Sequence, residues 1–313
     1  MTNGLRTVLL ATLVGVATIV AVPMAQTAAQ ESLAQRIVHT DSSTYRPLTA
    51  VHAGAGDMAF AGLLDRGAIG PHFNFLHRGA IPAGSGIGHH FHNTVEEMFV
   101  ILDGEAQFTI DGRTALIEGP AAVICRMGHS HAIYNSSSQT IQWMNFQASS
   151  IAGVSDAFDL GDDRVGAALD PVPSFMAVTL DRAEIRLADR AGRAAPAGPA
   201  ERSGAQFRRV FGPSAFSSAW AYVDHVLVAP GATTAALTHD AIGEAYYVLA
   251  GTGTVSVGSE TAPATKWDAI PVGLNETSSF SNTGSEPLEL LVMGVAKDMN
   301  TKIQFMSGGN RRP

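Results

Sequence analysis

Polar and apolar positions alternate in short runs along most of the chain, which is the pattern of strands with one buried face. Such runs occupy residues 97–102, 106–110, 246–249 and 253–257. Asp103-Gly104 and Asp111-Gly112 separate alternating runs, and this dipeptide predicts two hairpin turns. Helical periodicity is weak, with the stretch 180–191 as the best candidate for a short helix. The pattern therefore predicts an all-β sandwich or barrel.

The first residues follow a different pattern. Arg6 precedes an uncharged apolar run over 8–22, and small residues then continue to Ala29. This order is typical of a secretory signal peptide. The run is also shorter than the roughly 20 residues that a membrane-spanning helix needs. We expect removal of residues 1–29, a periplasmic or secreted mature protein, and no membrane contact after cleavage.

A repeat divides the remaining chain in two. Three residues recur at a constant offset of 147, since Gly84, Glu97 and Gly104 correspond to Gly231, Glu244 and Gly251. Between the copies, residues 191–205 are rich in Ala, Gly, Pro and Arg and show no periodicity. We interpret this stretch as a linker between two similar β domains.

Composition narrows the function classes. The 313 residues are 46% hydrophobic and 15% charged, which is typical of a globular protein. A net charge of -8 without any basic run argues against a nucleic-acid partner. Cys125 is the single cysteine, so intrachain disulfides and cysteine-based metal sites are excluded. Any metal must be bound by His, Asp or Glu.

The histidines point to such a metal. Seven of the eleven lie between His72 and His131. Residues two apart on a strand share a face, so His90 and His92 can both point into a barrel, and Glu97 can return across the following turn. His131 would come from another strand. Three imidazoles and one carboxylate suit one divalent Fe, Mn, Cu, Ni or Zn ion with positions open for a ligand.

The spacing of these residues resembles the two motifs of the cupin superfamily. The first motif here reads Gly84, five residues, His90-Phe91-His92, four residues, Glu97, six residues, Gly104. The second reads Gly128, two residues, His131, three residues, Asn135, with Arg126 where proline is usual. With its repeat, the chain resembles a bicupin over residues 45–297.

This resemblance implies an all-β fold of two double-stranded β-helix (jelly-roll) barrels. It also implies that His90, His92, Glu97 and His131 bind one divalent transition metal in the N-terminal barrel. The predicted organisation is a signal peptide (1–29), an N-terminal metal-binding cupin domain (30–150), an interdomain segment and linker (151–205), a degenerate C-terminal cupin domain (206–297) and a tail (298–313).

The second copy departs from the motif. Leu237 replaces the first histidine, and Glu276 stands at the position of His131. His239, Glu244 and Glu276 could form a weak three-ligand site, but a leucine among the ligand positions favours a barrel that has lost its metal.

Three neighbours of the ligands are candidate catalytic residues that carry protons. Glu96 would face outward unless a bulge turned it inward. His129 lies two residues from His131 and would either orient a ligand or be solvated. Tyr134 follows on the same predicted strand. The acidic segment 151–187 is predicted to be either a lid or an interdomain strap.

Three functions fit this metal motif. The first is a dioxygenase acting on a small chelating enol or phenol, which needs no nicotinamide reductant. The second is a redox-neutral lyase or isomerase acting on a sugar or hydroxy acid, with Glu96, His129 or Tyr134 moving the proton. The third is a non-catalytic protein that binds a small ligand or sugar. Each predicts a small-molecule partner and leaves a homo-oligomer open.

Overall fold

The structure is a computed structural model that describes residues 31–185 and 205–307. The signal peptide expected at 1–29 lies outside these residues, as does the linker expected at 191–205 except for Ala205. No helix within the described ranges is long and apolar enough to cross a membrane.

The described residues include 22 strands and two complete α-helices. The first thirteen strands are β1 (Val38–His39), β2 (Arg46–Thr49), β3 (Asp57–Leu64), β4 (Phe73–Ile81), β5 (Gly86–Phe91), β6 (Val95–Ile101), β7 (Glu105–Ile110), β8 (Arg113–Glu118), β9 (Ala121–Cys125), β10 (Ser130–Tyr134), β11 (Ile141–Ser149), β12 (Phe158–Asp162) and β13 (Ala177–Thr179). The remaining strands are β14 (Ala205–Phe211), β15 (Trp220–Val228), β16 (Leu237–Thr238), β17 (Ile242–Ala250), β18 (Thr252–Val257), β19 (Glu260–Thr265), β20 (Asp268–Val272), β21 (Thr277–Asn282) and β22 (Leu288–Ala296). The helices are α1 (Leu33–Arg36) and α2 (Met299–Met306).

These strands make two jelly-roll barrels, as predicted. The first barrel pairs a seven-stranded sheet, β13-β9-β6-β11-β4-β3-β2, with a five-stranded sheet, β12-β5-β10-β7-β8. The second pairs a six-stranded sheet, β1-β20-β17-β22-β15-β14, with a four-stranded sheet, β16-β21-β18-β19. Each barrel encloses its own apolar core, centred on Phe99 and Trp143 in the first and on Tyr246 and Phe280 in the second.

The two large sheets pack against each other through their outer faces. Leu76, Met98 and Phe146 of the first barrel share one buried cluster with Trp220 and Leu291 of the second. Strands in this position are buried on both faces, so β6, β15 and β22 are buried along their whole length. The interface between the barrels is therefore a third hydrophobic core.

One of the two predicted hairpins is correct. Asp111 and Gly112 have φ angles of 48° and 76° and join β7 to β8, which pair directly. The Asp103-Gly104 prediction is wrong, because β6 belongs to the seven-stranded sheet and β7 to the five-stranded sheet. That turn carries the chain from one sheet of the barrel to the other.

Strand pairing crosses the predicted domain boundaries. β1 pairs with β20, so residues 38–39 complete the sheet of the second barrel although they precede the first. β12 pairs with β5, and β13 pairs with β9, so the first barrel continues to Thr179 instead of ending at residue 150. Backbone hydrogen bonding across sheet edges, which sequence alone does not display, sets these limits.

The described part of the segment 151–187 lies against the barrels. Its two strands extend both sheets of the first barrel, and Arg182 then forms a 2.5 Å ion pair with Glu289 of β22. Residues 182–185 are helical, and the rest of the helix predicted at 180–191 lies outside the described residues. The predicted tail begins with α2, whose Lys302 donates hydrogen bonds to the carbonyls of Phe216 and Ser218.

Candidate metal centre

Four buried side chains meet inside the first barrel. His90 on β5 lies directly opposite His131 on β10, and Glu97 projects from β6 in the facing sheet. His92 follows the end of β5. One ligand atom from each of these residues lies within 4.8 Å of all the others, and none of the four residues is more than 4% exposed. The structure therefore contains a possible metal site formed by these residues.

Strand alternation and one turn position the histidines. On β5, the side chain of His89 points away from His90 and contacts the hydroxyl of Ser130 at 2.8 Å. His92 lies in the loop after β5, and its backbone carbonyl accepts a 2.8 Å hydrogen bond from the N–H of Gly128. Gly128 has a φ of 77°, a left-handed conformation that favours glycine. This turn brings the strand of His131 back beside His92.

Hydrogen bonds fix the orientation of the imidazoles. Nδ1 of His90 donates to the carbonyl of Gly88 at 2.8 Å, and Nδ1 of His92 donates to the carbonyl of Asp156 at 2.6 Å. A carbonyl only accepts, so each Nδ1 carries the proton and each Nε2 presents a lone pair. This is how metal-binding histidines are usually held.

The carboxylate of Glu97 is held in the same way. Its Oε1 accepts a 2.6 Å hydrogen bond from Gln147, and its Oε2 accepts a 3.2 Å bond from Asn145. Oε2 also faces His131 Nε2 at 3.4 Å and His92 Nε2 at 3.7 Å. Both amides come from β11, so one strand orients the only acidic group of this cluster.

The donor set fits a divalent transition metal. Nitrogen ligands bind zinc and similar ions at about 2.1 Å, so neighbouring ligand nitrogens at right angles lie about 3 Å apart. The Nε2 atoms of His92 and His131 are 3.0 Å apart. Two imidazole lone pairs at this distance repel each other unless a proton or a metal cation lies between them, and the carboxylate of Glu97 stabilises either one.

The electrostatics of the cluster also favour a cation. Burial lowers the pKa of His90 to about 4, and it holds the pKa of His131 well below its usual range. Burial opposes the charged form of Glu97, but the imidazoles around it, His92 first, hold the pKa of its carboxyl well below the ordinary value. At neutral pH the cluster therefore offers a carboxylate together with the neutral imidazoles of His90 and His131. Burial opposes the charged form of His92, but the carboxylate of Glu97 raises the pKa of that imidazole.

The structure does not bring the three candidate proton carriers to this centre. Glu96 points to the interface between the barrels, where it accepts hydrogen bonds from the backbone of Ser217 and Ser218 at 2.7 and 2.9 Å. The side chain of His129 is 42% exposed, and it forms a 2.6 Å contact with the Asp111 carboxylate.

Tyr134 lies at the far end of β10, three residues beyond His131. It is paired with Gly86 and Gln107. Strand alternation turns its side chain to the face opposite His131. For Glu96 as for Tyr134, strand alternation explains the placement.

Two histidines outside the motifs lie near the centre. The ring of His52 stacks on His90 with centroids 3.8 Å apart, and its Nδ1 contacts the Asp159 carboxylate at 2.5 Å. His77 on β4 lies opposite Asn145 of β11 and stacks on Phe75 at 3.9 Å. The motif spacing carries no signal for His52. The facing of His77 depends on the register of β4, which the sequence does not display.

The second barrel has different contacts at the corresponding positions. His239 contacts the Ser278 hydroxyl at 2.9 Å, and Glu244 accepts hydrogen bonds from Tyr222 and Tyr246. His239 Nδ1 lies 3.5 Å from the Glu244 carboxylate, whereas Glu276 forms a 2.7 Å ion pair with Arg36. Within the described ranges, the cluster of the first barrel is the group of three or more potential ligands that the structure brings together.

Comparisons with known proteins agree with this architecture. The family model described as "Cupin domain" matches residues 78–146 and again residues 224–294. An oxalate-binding protein of Thermotoga maritima is 26% identical over 108 residues, which are 34% of this chain and 89% of that protein.

Two solved bicupin structures resemble the whole fold. The salicylate 1,2-dioxygenase of Pseudoaminobacter salicylatoxidans with gentisate has a TM-score of 0.57 at 15% identity, covering 86% of this chain and 85% of that one. The oxalate decarboxylase of Lactobacillus farciminis in its formate complex has a TM-score of 0.54 at 15% identity, covering 88% of this chain and 93% of that one. At these identities the likeness establishes the fold alone. With the family model matching both repeats, the chain belongs to the cupin superfamily as a bicupin.

Proposed function

We propose that this bicupin is an exported metal-dependent dioxygenase that acts on a small chelating enol or phenol. The observation that carries the proposal is the donor set of His90, His92, Glu97 and His131, in which hydrogen bonds present two Nε2 lone pairs and one carboxylate oxygen to a common point. A bound transition metal would supply a Lewis acid with open positions for two substrate oxygens or for dioxygen.

The wall beside Glu97 suits a planar substrate. His77 lies between Phe75, stacked at 3.9 Å, and Phe60, tilted at 4.9 Å. Asn145 pairs with His77 across the two strands and donates to Glu97. This aromatic wall therefore adjoins the candidate metal ligands, and a flat ring can stack along it.

The same wall carries groups that can receive a substrate hydroxyl. Burial lowers the pKa of His77 to about 4, so its imidazole is neutral at physiological pH and can accept a hydrogen bond from an enol or phenol hydroxyl. Oδ1 of Asn145 is buried and accepts no hydrogen bond from the residues that the structure describes. A buried acceptor of this kind is costly without a partner, and a bound hydroxyl would provide one.

A redox-neutral reaction is the second candidate. The 26% identical relative is named for binding oxalate, and one of the similar structures is an oxalate decarboxylase. A small carboxylic acid can chelate a metal through two oxygens without consuming dioxygen. The aromatic wall around His77 nevertheless favours a planar enol or phenol, which is why we rank the dioxygenase first.

Oxygen dependence separates these functions. The purified protein should hold about one transition-metal ion per chain by elemental analysis, as one complete donor set implies. It should consume dioxygen in proportion to the loss of one member of a panel of catechols, 2-hydroxybenzoates and cyclic enols. Turnover that continues under argon would instead establish a lyase or isomerase. Stoichiometric uptake without product would establish a binding protein.

Two alanine variants form a matched pair for this test. His131→Ala should abolish stoichiometric metal binding and oxygen consumption, because it removes one of the candidate ligands. His239→Ala removes a histidine of the second barrel and should leave both metal binding and oxygen consumption unchanged. Full metal content in His131→Ala would contradict the site, and a halved content in His239→Ala would place a second ion in the other barrel.

The export proposal rests on the signal-peptide pattern of residues 1–29. The mature protein should be recovered from the periplasm or the medium with its N-terminus close to residue 30. Recovery of the intact N-terminus from the cytoplasm would contradict export without affecting the metal centre.

A further inference from the structure

A cavity between the two barrels is separate from the metal centre. Its volume is about 500 Å³, and none of His90, His92, Glu97 or His131 lines it. The lining comes from both large sheets and from the segment after β1, and it includes Thr40, Tyr45, Arg78, Tyr247, Lys266 and Trp267. Cavities of a few hundred cubic ångströms are the usual size of small-molecule sites.

A buried arginine lies at the wall of this cavity. Arg78 is 4% exposed, and its Nε donates a 3.2 Å hydrogen bond to the phenolic oxygen of Tyr247. Its Nη1 donates to Gln142 and to two backbone carbonyls. Among the described residues, Nη2 has no acceptor and the guanidinium has no carboxylate partner. Because a buried charge without a counter-charge is costly, the wall favours an anion beside Nη2.

Neutral hydrogen-bond donors line the same cavity. The hydroxyls of Thr40 and Tyr247 lie 3.2 Å apart. Burial raises the pKa of Tyr45, so its phenol stays protonated at neutral pH and can donate a hydrogen bond. The cavity that holds the Arg78 guanidinium therefore also offers hydroxyl donors to an anion.

The other charges of the cavity favour a single negative charge. Lys266 adds a second cation, and Asp103 and Glu289 add two carboxylates. Glu289 is already paired with His225 at 2.7 Å and with Arg182 at 2.5 Å. The carboxylate of Asp103 would repel a dianionic phosphate more strongly than a monoanion.

An aromatic side chain lies at the rim of the cavity. Trp267 is 43% exposed and has a φ of 80°, a left-handed conformation that is rare for a bulky residue. Such strain persists where the surrounding structure holds it and clusters at ligand sites. Lys266 Nζ lies 5.0 Å from the centre of its ring, and Leu102 and Leu249 add apolar walls. Together these side chains form an apolar surface against which the aromatic ring of a ligand can pack.

We propose that the cavity between the barrels binds a small aromatic monocarboxylate, with its carboxylate on Nη2 of Arg78 and its ring beside Trp267. This site is independent of the metal centre and of the reaction proposed for it. Occupancy would join the two barrels through one ligand, since Arg78 belongs to the first and Trp267 to the second.

Benzoate is the probe for this site, with benzamide as the neutral control. Titration of the full-length, metal-loaded protein by calorimetry should show saturable binding of one benzoate per chain and at least about tenfold weaker binding of benzamide, since the charge-assisted hydrogen bonds are lost. Tryptophan fluorescence should change in parallel, because Trp143 and Trp220 are fully buried and Trp267 is exposed.

Variants locate the bound benzoate. Arg78→Gln should lower the affinity for benzoate at least about tenfold. Arg78 also supports its own strand through hydrogen bonds, so its substitution can disturb the fold. Trp267→Gly is therefore a second variant, because glycine adopts the left-handed conformation of residue 267 without strain. It should weaken benzoate several-fold while raising the thermal midpoint. Lys266→Ala should weaken benzoate binding. Lys297→Ala, which removes an exposed lysine outside the cavity, is its control.

The metal-site variant His131→Ala should bind benzoate as the unchanged protein does. Loss of benzoate binding in His131→Ala, with retention in Trp267→Gly, would place the ligand at the metal and overturn the proposal. Absence of saturable benzoate binding would overturn it as well, as would tighter Arg78-dependent binding of inorganic phosphate.

Discussion

The carbonyl of Asp156 accepts a 2.6 Å hydrogen bond from Nδ1 of His92, so a residue beyond the last strand of the metal motifs sets the tautomer of a candidate ligand. The carboxylate of Asp156 in turn accepts hydrogen bonds from the backbone N–H groups of Asn93 and Thr94, the closest at 3.1 Å. These contacts hold the loop of His92 against the segment that follows β11. The candidate centre therefore depends on residues outside the motifs.

Asp156→Ala should loosen this loop. The free energy of unfolding should fall by roughly 1 kcal/mol, the usual worth of such hydrogen bonds, and the metal dissociation constant should rise by about tenfold. Chemical denaturation and competition with a metal chelator measure the two effects. Asp163→Ala is the matched control, because that carboxylate also accepts a backbone hydrogen bond, from Val165, but away from the centre. Equal metal affinity in both variants would contradict the role of Asp156.

Gln147→Leu should lower the affinity for the metal without changing any candidate metal ligand. The substitution removes the 2.6 Å hydrogen bond to Glu97 Oε1, and loss of such a partner typically lowers metal affinity by about 10- to 100-fold. Chelator competition on the purified variant measures the change. Gln139→Leu, at an exposed loop position, should leave the affinity unaltered. An unchanged affinity in Gln147→Leu would show that the carboxylate does not need this support.

Glu96→Ala tests whether this carboxylate belongs to the interface or to the chemistry. Its removal leaves the buried N–H of Ser218 without its acceptor, so we expect a loss of roughly 2 to 4 kcal/mol in the free energy of unfolding. Metal content should stay the same. Denaturation and elemental analysis give both values, with the exposed Glu105→Ala as control. A stable Glu96→Ala variant that had lost its activity would restore the proton-carrier role.

His77 should make stability depend on pH. Its pKa is about 4 in the folded protein and 6.5 in an unfolded chain, so only the unfolded state takes up a proton between these values. Stability should therefore fall as the pH drops from 6.5 towards 4, by up to roughly 3 kcal/mol from this group. His77→Phe should remove that part of the loss. Denaturation of both metal-free proteins at several pH values measures the difference, and parallel curves would contradict it.

The sequence predicted strands from their alternation, and it predicted the meeting of four distant residues because their spacing resembles the cupin motifs. Strand alternation turns His90 inward and His89 outward, and Gly128 supplies a left-handed turn before His131. Alternation also predicts that Glu96 faces away from Glu97. These inferences need only the period of a strand.

The rest depends on contacts between parts of the chain that the sequence does not connect. Glu96 meets Ser218 across an interface of two large sheets, and His92 meets the backbone of Asp156, whose carbonyl has no sequence signature. The error at Asp103-Gly104 has a similar cause, since the same dipeptide serves a hairpin and a crossing between sheets. The register of β4, which sets the position of His77, is equally invisible in a single sequence.

The pairing of β1 with β20 constrains how this protein can be divided. A cut between residues 186 and 204 would separate the two repeats, but it would leave residues 38–39 on the wrong fragment. The C-terminal fragment would then expose the edge of β20 together with the apolar outer face of its large sheet, a combination that promotes aggregation. An isolated second barrel should therefore be produced as a permuted chain that carries residues 32–40 with it.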